Sequence, residues 1–223
     1  MPDPISLTER AYSDIKRKVI SGAYSPGEHF EAGQLSDDLG MSRTPVREAL
    51  LRLQSEGILE IIAKKGIRIV PLSATDLHDV YQIITGLEIE AVGGLTAHAP
   101  SEAILSPLYA AVEGMHASLD KQEIDGWSLA DEKFHRGLFE LCGNARLCIE
   151  GHRHRDLAQR AHFVAMRLIE PEQKRRSIQS HVDLIEIIKS ANEKKARQVH
   201  FEQRVRGAEL LVNIVKKYGL KRL

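Results

Sequence analysis

The stretch SRTPVREALLRLQSEGILEIIAKKGIRIV, residues 42–70, decides the fold of the first part of the chain. Apolar side chains recur at helical spacing from Val46 to Leu53, which predicts an amphipathic helix with one buried face. Thr44 is a good cap for such a helix and Pro45 is a good first helical residue. The sequence therefore predicts a helix that begins at this Thr-Pro pair.

A basic hairpin is predicted directly after this helix. Two runs rich in β-branched residues, 58–62 and 67–70, indicate strands, and the segment AKKG at residues 63–66 indicates the turn between them. Pro71 cannot continue a β-ladder, because it has no backbone N–H to donate. We therefore place the boundary of the first domain just after this proline.

Two further helices are predicted before this stretch. An apolar face between Tyr12 and Ile20 indicates the first, and the second is predicted from Ala32 to Leu39. Gly40 follows at the position where a helix end favours a positive φ. Two short helices joined by a glycine-containing turn and followed by a hairpin form a winged helix-turn-helix, which places its second short helix in the major groove of DNA.

Basic side chains occupy the positions that DNA recognition requires. Arg43 precedes the recognition helix and Arg47 lies in its first turn, where a guanidinium can donate to guanine O6 and N7 or grip a phosphate. Arg52 is better placed for the DNA backbone, and Lys64 and Lys65 of the wing would reach a flanking groove. The alternative is an ordinary three-helix domain with solvated charges, although arginines at a helix N-terminus oppose the helix dipole.

Bulk composition gives the DNA interpretation no support. The chain has 31 basic and 31 acidic residues, so its formal net charge is zero. DNA-binding domains usually carry a basic excess, so the interpretation depends on where the basic side chains lie. No apolar run is long enough to span a membrane and the first residues do not resemble a secretory signal, which predicts a cytoplasmic protein. Cys142 and Cys148 are then expected as reduced thiols and not as a disulfide.

The chain from Ala74 onward predicts helix almost throughout. Beyond a first helix with apolar residues from Leu77 to Ala91, helices are predicted at 103–119, 124–141, 145–168, 171–190 and 193–218. Five or six helices with short connections make an antiparallel bundle. The predicted class is therefore mainly α, with a winged helix-turn-helix at residues 1–73 and an all-helical antiparallel bundle at residues 74–223.

Several histidines of the bundle suggest a metal site. Asp131 and His135 are four residues apart and project from one face of a predicted helix, and His181 and His200 lie in the two last helices. Imidazole nitrogens and a carboxylate inside a helical bundle can hold a divalent metal such as zinc. The alternative is a hydrogen-bonded Asp–His pair without a metal.

The N-terminal stretch also resembles a known family. The PGE turn, the LG-x-SRTPVREAL block and the G-I-L-E before the wing look like the DNA-binding domain of GntR-family bacterial regulators over nearly all of residues 7–73. The resemblance implies DNA contacts by Arg43, Thr44, Arg47 and the wing Gly66, where a glycine allows close approach to the sugar-phosphate chain. Some members carry a basic residue at the position of Gly33, so one contact is absent here.

The bundle, from about Leu77 to Val215, resembles more loosely the FCD effector domain of the FadR subgroup. The segments DEKFHRGLFELCGN and HVDLIEIIKSANEKKAR carry this resemblance. It implies metal ligation by Asp131, His135 and His181. The fourth ligand position of the family falls on Gln203, a poor zinc ligand, and His200 lies three residues earlier as the alternative fourth ligand.

The same resemblance implies a small carboxylated metabolite as effector, bound in the cavity of the bundle. The arginine that family members commonly carry in the first bundle helix is replaced near Ile84. The sequence offers other arginines on the central helix and does not select among them: Arg146, Arg153, Arg160 and Arg167.

These observations predict a ligand-responsive transcription regulator, a repressor that binds a palindromic operator as a homodimer and senses an organic acid. The alternative is an enzyme, a metal-dependent hydrolase or lyase built on the bundle, because a metal with an open position can activate water. We find no general base for it, since Glu132 points about 100° around the helix from Asp131. A weaker alternative is an architectural DNA binder without an effector.

Overall fold

The computed structural model describes residues 5–24 and 27–218. Two compact units divide this part of the chain, with Ser73 in the first unit and Ala74 in the second. The outer ends of the two predicted domains, residues 1–4 and 219–223, lie outside the described residues. So do Pro26 of the PGE turn and Ser25 directly before it.

The first unit is a small helical domain with a three-stranded antiparallel sheet. Its strands are arranged in the order β1-β3-β2, and β2 pairs with β3 from Leu59 opposite Ile69 to Ile62 opposite Gly66. The core is formed by apolar side chains of all three helices, for example the fully buried Ile15, Leu35 and Leu53. Its elements are α1 (Leu7–Ile20), β1 (His29–Phe30), α2 (Ala32–Leu39), α3 (Arg43–Ser55), β2 (Leu59–Ile62) and β3 (Gly66–Ile69).

Helix α3 begins earlier than predicted. Ser42, with extended backbone angles, is its N-cap residue, so Arg43 is the first helical residue and Thr44 the second. The prediction that Thr44 caps the helix and Pro45 opens it is therefore wrong by two residues. Proline is tolerated at the third helical position because the first N–H groups of a helix have no intrahelical acceptor.

Strand β1 is absent from the predictions. It has only two residues, His29 and Phe30, which pair with Arg68 and Ile67 of β3. A two-residue strand is too short to show the alternation of apolar and polar residues that identifies a strand. Strand β1 forms because β3 offers it a free edge. Strand β3 is therefore the central strand of the sheet, with β1 on one side and β2 on the other.

The second unit is a bundle of long helices joined by short connections, and the mainly α class is confirmed. Helix α4 packs against α9, α7 and α6, while α5 packs against α6 and α8. The five helices whose bounds were predicted agree with the observed bounds to within two residues, and the first bundle helix extends to Ala97, beyond the apolar residues that predicted it. Those bounds are α4 (Ala74–Ala97), α5 (Glu102–Asp120), α6 (Ile124–Leu141), α7 (Ala145–Met166), α8 (Pro171–Lys189) and α9 (Glu193–Lys217).

Glycines bring helices α5, α6 and α7 close together. A Cβ atom at Gly137 of α6 would lie 2.8 Å from the side chain of Leu108, and one at Gly151 of α7 would lie 2.5 Å from the ring of Phe139. Both glycines are buried, so larger residues would separate α6 from α5 and from α7.

Cys142 and Cys148 are free thiols. Among the described helices, none is long and apolar enough to cross a membrane.

Candidate functional site

The start of α3 presents polar side chains to solvent. Arg43, Thr44 and Arg47 are exposed, whereas Val46 and Leu50 on the opposite face are buried in the core of the unit. This arrangement follows from the helical period, since residues on the two faces differ by roughly half a turn. The fold thus holds two guanidinium groups at the free N-terminal end of the helix that is predicted to enter the major groove.

The tip of the wing carries two exposed lysines. Lys64 has φ 61°, and the Lys65 N–H donates to the Ile62 carbonyl oxygen at 3.0 Å, so the turn is closed by its own backbone. Gly66 follows with φ 86°, and a Cβ atom there would overlap the carbonyl oxygen of Phe30 in β1. The glycine is therefore required by the sheet itself, independently of any contact with DNA.

Arg52 differs from Arg43 and Arg47 in its surroundings. Its Nη1 lies 2.8 Å from a carboxylate oxygen of Glu9 in α1, and its Nε lies 3.4 Å from Glu56. The guanidinium also stacks over the ring of Tyr12, 3.7 Å from its centroid. In the structure this arginine links α3 to α1, a contact between elements that the sequence analysis did not predict.

The helical unit forms a cavity of about 270 Å³ between α4, α6, α7, α8 and α9. Apolar side chains such as Phe134, Met166 and Leu211 line one part of it. A cluster of buried polar groups lines the other part and includes Asp131, His135 and His181. The D-x-x-x-H pair of α6 and the histidine of α8 therefore lie together at this wall.

Imidazole nitrogens face the carboxylate of Asp131 from different helices. Nε2 of His181 lies 3.2 Å from Oδ1, Nε2 of His162 lies 3.2 Å from Oδ2, and Nε2 of His135 lies 3.9 Å from Oδ2. Burial alone would raise the pKa of Asp131, but the histidine contacts outweigh it and hold this pKa well below its usual value. The aspartate is therefore ionised inside the cavity.

The contact of Nδ1 determines which ring nitrogen of His181 carries the hydrogen. Nδ1 lies 2.6 Å from the carbonyl oxygen of Ser177, which only accepts hydrogen bonds, so Nδ1 carries a proton and donates it. In the neutral ring Nε2 then has a lone pair, and this lone pair faces the negative Asp131. Nε2 of His181 is buried and has no hydrogen-bond partner among the described residues. Such an arrangement is unfavourable unless a cation or a proton lies between the two groups.

His135 is held in the same way by a carboxylate. Its Nδ1 donates to Oε2 of Glu88 at 3.0 Å, which leaves Nε2 as the nitrogen that faces Asp131. Burial lowers the pKa of His135 to about 3, so the ring is neutral at physiological pH. A carboxylate that holds the far nitrogen of an imidazole is the usual support of a metal-binding histidine.

Glu88 lies at the centre of this network and is fully buried. Besides His135, it accepts from Arg155 Nη1 at 2.7 Å and from His200 Nε2 at 2.9 Å, and Arg204 Nε lies 3.3 Å away. Burial alone would raise the pKa of Glu88, but the charges of Arg204 and Arg155 hold it well below its usual value. Arg155 also pairs with Glu132 at 2.5 Å, so Glu132 is directed to this arginine and does not line the cavity.

The two candidates for a fourth ligand are engaged elsewhere. The Gln203 amide donates to the carbonyl oxygen of Ser180 at 2.9 Å, and its oxygen faces Nδ1 of His200 at 3.4 Å. His200 directs its Nε2 to Glu88 and not to Asp131. Neither residue joins Asp131, His135 and His181 in this arrangement.

The donor set of Asp131, His135 and His181 fits a divalent cation. One potential ligand atom from each lies within 4.8 Å of the others. Ligand atoms about 2.1 Å from one tetrahedral zinc ion lie roughly 3.4 Å apart, which is close to the observed contacts with Asp131. Glu88, His135 and His200 form a second group of similar size. In that group both imidazoles direct a nitrogen to Oε2 of Glu88, so Glu88 fixes the orientation of His135.

Sequence reasoning missed Glu88, Arg155, His162 and Arg204. One signal was available, because Glu88 lies on the apolar stripe of α4 between Ile84 and Ala91, where a charged residue needs a buried partner. The four arginines that the sequence offered for effector binding do not line the cavity. Among the described residues, Arg146, Arg153 and Arg167 are exposed, and Arg160 is buried away from it.

Models of known families match both units. The model of bacterial regulatory proteins of the gntR family matches residues 7–69, and the FCD domain model matches residues 79–202. The chain belongs to the GntR family. Its second unit is an FCD domain, and this combination of domains is consistent with the FadR-like subgroup. The chain is therefore a transcription regulator and not an enzyme, and a hydrolase or lyase on the bundle is not favoured.

Relatives and solved structures agree with this assignment. An uncharacterized HTH-type transcriptional regulator of Agrobacterium vitis is 38% identical over 57% of this chain and 76% of its own length. The HTH-type transcriptional repressor GlaR of Escherichia coli is 27% identical over 70% of this chain and 72% of its own length. The structure of E. coli McbR/YncC has the same fold, with a TM-score of 0.82 and 23% identity over 94% of this chain and 99% of that one.

Proposed function

We propose that this GntR regulator represses transcription by binding a palindromic operator as a homodimer and that it senses a small carboxylated metabolite in the FCD domain. The observation that carries the proposal is the cavity of the helical unit, whose wall combines apolar side chains with a buried cluster of histidines and charges. A domain that only clamps DNA does not need such a cavity, and ligand sites have this composition.

On the DNA side, the proposed contacts are the exposed residues of α3 and of the wing. Arg43 and Arg47 are in position to read base edges or to grip phosphates, and the exposed Thr44 lies between them. Lys64, Lys65 and Gly66 are the proposed wing contacts. Arg52 is proposed as a backbone contact of smaller weight, because its guanidinium already pairs with Glu9 and stacks on Tyr12.

Two-fold symmetry and repression are proposed on other grounds. A single recognition helix reads only a few base pairs, so regulators of this kind gain specificity by presenting two helices to two half-sites. A homodimer and a palindromic operator follow from that requirement. Repression is supported by the relative GlaR, which carries the name of a repressor.

On the effector side, we propose a divalent, zinc-like cation held by Asp131, His135 and His181. When bound, the cation supplies a positive centre inside a cavity of low polarity, and this favours an anionic ligand. The residues of the chain perform the remaining tasks. Glu88 orients His135, the Ser177 carbonyl oxygen orients His181, and apolar side chains line the rest of the cavity.

The DNA part is tested by Arg47→Ala on operator duplexes that wild-type protein selects from a random pool. Loss of a guanidinium that donates two bonds to a base lowers specific affinity by about tenfold or more, while affinity for random duplexes falls much less. Arg17→Ala is the matched control, since Arg17 is an exposed arginine of the same domain outside α3 and the wing. Equal operator affinity of Arg47→Ala and wild type in fluorescence anisotropy would contradict the assignment.

A further inference from the structure

Two buried donors at the cavity wall have no acceptor among the described residues. They are Nη2 of Arg204 in α9 and Nε1 of Trp127 in α6; Nε of Arg204 also makes no hydrogen bond, but it lies 3.3 Å from the carboxylate of Glu88. The two side chains are only 7% and 2% exposed, and both line the cavity. Buried N–H groups in proteins are almost always paired, so unpaired donors at the wall of a cavity point to a ligand that carries acceptors.

The guanidinium of Arg204 is held in place on its other sides. Its Nε lies 3.3 Å from Oε2 of Glu88, and its Nη1 lies 3.3 Å from Nε2 of His135 and donates to it as long as no cation takes the lone pair of that nitrogen. It also lies over the ring of Tyr81, 5.3 Å from the centroid. These contacts fix the plane of the guanidinium and leave Nη2 as a buried nitrogen without a partner among the described residues. An arginine oriented in this way is preorganised for a carboxylate.

The charge of the cavity wall agrees with an anionic ligand. Its basic residues are Lys174, Arg176, Arg204 and Arg206, against Asp131 as the acidic residue of the described wall. The chain as a whole has equal numbers of basic and acidic residues, so this excess is local. The carboxylate of Asp131 is moreover surrounded by histidines and offers little repulsion.

We infer that Arg204 binds the carboxylate of the effector and that the Trp127 indole N–H binds a second acceptor atom of the same ligand. This inference rests on the proposed function and names the residues that select the effector. The positively charged group that binds the carboxylate is then an arginine of α9. At the corresponding part of α4, Ile84 is buried and uncharged and does not line the cavity. The apolar remainder of the wall takes the hydrocarbon part of the ligand.

Matched acid and amide pairs test the inference with defined probes. The probes are lactate and lactamide, malonate and malonamide, and benzoate and benzamide, each added to the full chain in a thermal-shift assay with and without zinc. A carboxylate raises the unfolding temperature of wild type through binding to the folded state, and its amide does not. The carboxylate with the largest shift is then titrated calorimetrically.

Variants of the two donors decide between the possible outcomes. Arg204→Met is expected to weaken carboxylate binding roughly tenfold to hundredfold, and Trp127→Phe, which keeps the aromatic shape, about threefold to tenfold. Arg146→Met is the control, because Arg146 is an exposed arginine of the same unit that does not line the cavity. Undiminished binding in both donor variants overturns the inference and leaves the proposed function intact. Absence of any carboxylate effect on wild type overturns the proposed effector class as well.

Discussion

At Glu88, side chains from three other helices converge on one carboxylate. His135 comes from α6, Arg155 from α7, and His200 and Arg204 from α9. A fully buried carboxylate would be strongly destabilising without these partners. The same contacts orient His135 toward Asp131 and hold Arg204 at the cavity wall. One residue therefore connects the stability of the bundle with the geometry of its ligand site.

Glu88→Gln is expected to lower the free energy of unfolding by about 3 kcal/mol, because it leaves Arg155 and Arg204 with one buried counter-charge fewer. Zinc affinity is expected to fall about tenfold, since His135 loses the carboxylate that orients it. Urea denaturation and zinc titration measure the two effects. Glu90→Gln is the control, an exposed glutamate of α4 paired with Arg197 at 2.8 Å, and is expected to cost less than about 1 kcal/mol. Equal losses in the two variants would refute the central role of Glu88.

Gly66→Ala tests the wing at the same scale. Its positive φ and the position of the Phe30 carbonyl oxygen leave no room for a Cβ atom, so a loss of about 2 kcal/mol in unfolding free energy is expected. Gly33→Ala is the comparison, since a Cβ at Gly33 in α2 meets nothing within 4 Å. That substitution is expected to be neutral or slightly stabilising, because alanine favours helix. A neutral Gly66→Ala in thermal unfolding would show that β1 moves to accommodate it.

Single elements were predictable to the extent that they carry periodic apolar residues. The long helices of the bundle and the hairpin of β2 and β3 show such patterns, and their bounds were predicted closely. Helix α3 was predicted to start two residues late, because Thr44 and Pro45 are a common helix start and Ser42 an equally good cap. Strand β1 exists only because β3 offers it a free edge, and this pairing has no local signal.

Helix α3 carries exposed arginines at its start and, in Arg52, an arginine that contacts α1. Arg52→Ala tests whether these arginines have different roles. Loss of the contacts with Glu9 and Tyr12 is expected to lower the free energy of unfolding by about 1 kcal/mol. Specific operator affinity is expected to fall by less than about threefold, as for one exposed phosphate contact. Arg47→Ala should give the reverse pattern, unchanged stability and lost recognition. If Arg52→Ala left stability unchanged and abolished operator binding, the structural role given to Arg52 would be wrong.

Across the whole molecule, the sequence indicated which residues form the proposed metal site but not what surrounds them. Asp131 and His135 share a helix face and could be grouped from their spacing, and His181 was placed by resemblance. His162 and Arg204 come from helices whose rotation about their axes is fixed only by packing in the bundle. Their sequence neighbours are charged and polar, so no periodic pattern indicates which of them point inward. Tertiary packing supplies that information.

If zinc occupies the proposed site, its removal is expected to lower the stability of the FCD domain. The chain has a single tryptophan, and because Trp127 lies in the cavity wall its fluorescence reports the unfolding of this domain. Zinc at about 100 times its dissociation constant adds roughly 2.7 kcal/mol to the folded state, a rise of about 5–10 °C in the unfolding midpoint. Chelator-treated protein should unfold at the lower temperature and recover on addition of zinc.

His181→Ala identifies the site at which this stabilisation arises. It removes one of the three proposed ligands, so the zinc-dependent rise in the Trp127 midpoint should disappear, while the midpoint of chelator-treated protein changes little. His78→Ala is the control, because His78 is an exposed histidine of α4 that pairs with Gln82 at 3.1 Å. It should retain the full rise. A rise of equal size in wild type and His181→Ala would place the zinc elsewhere on the chain, and no rise in wild type would rule out a metal-centred effector site.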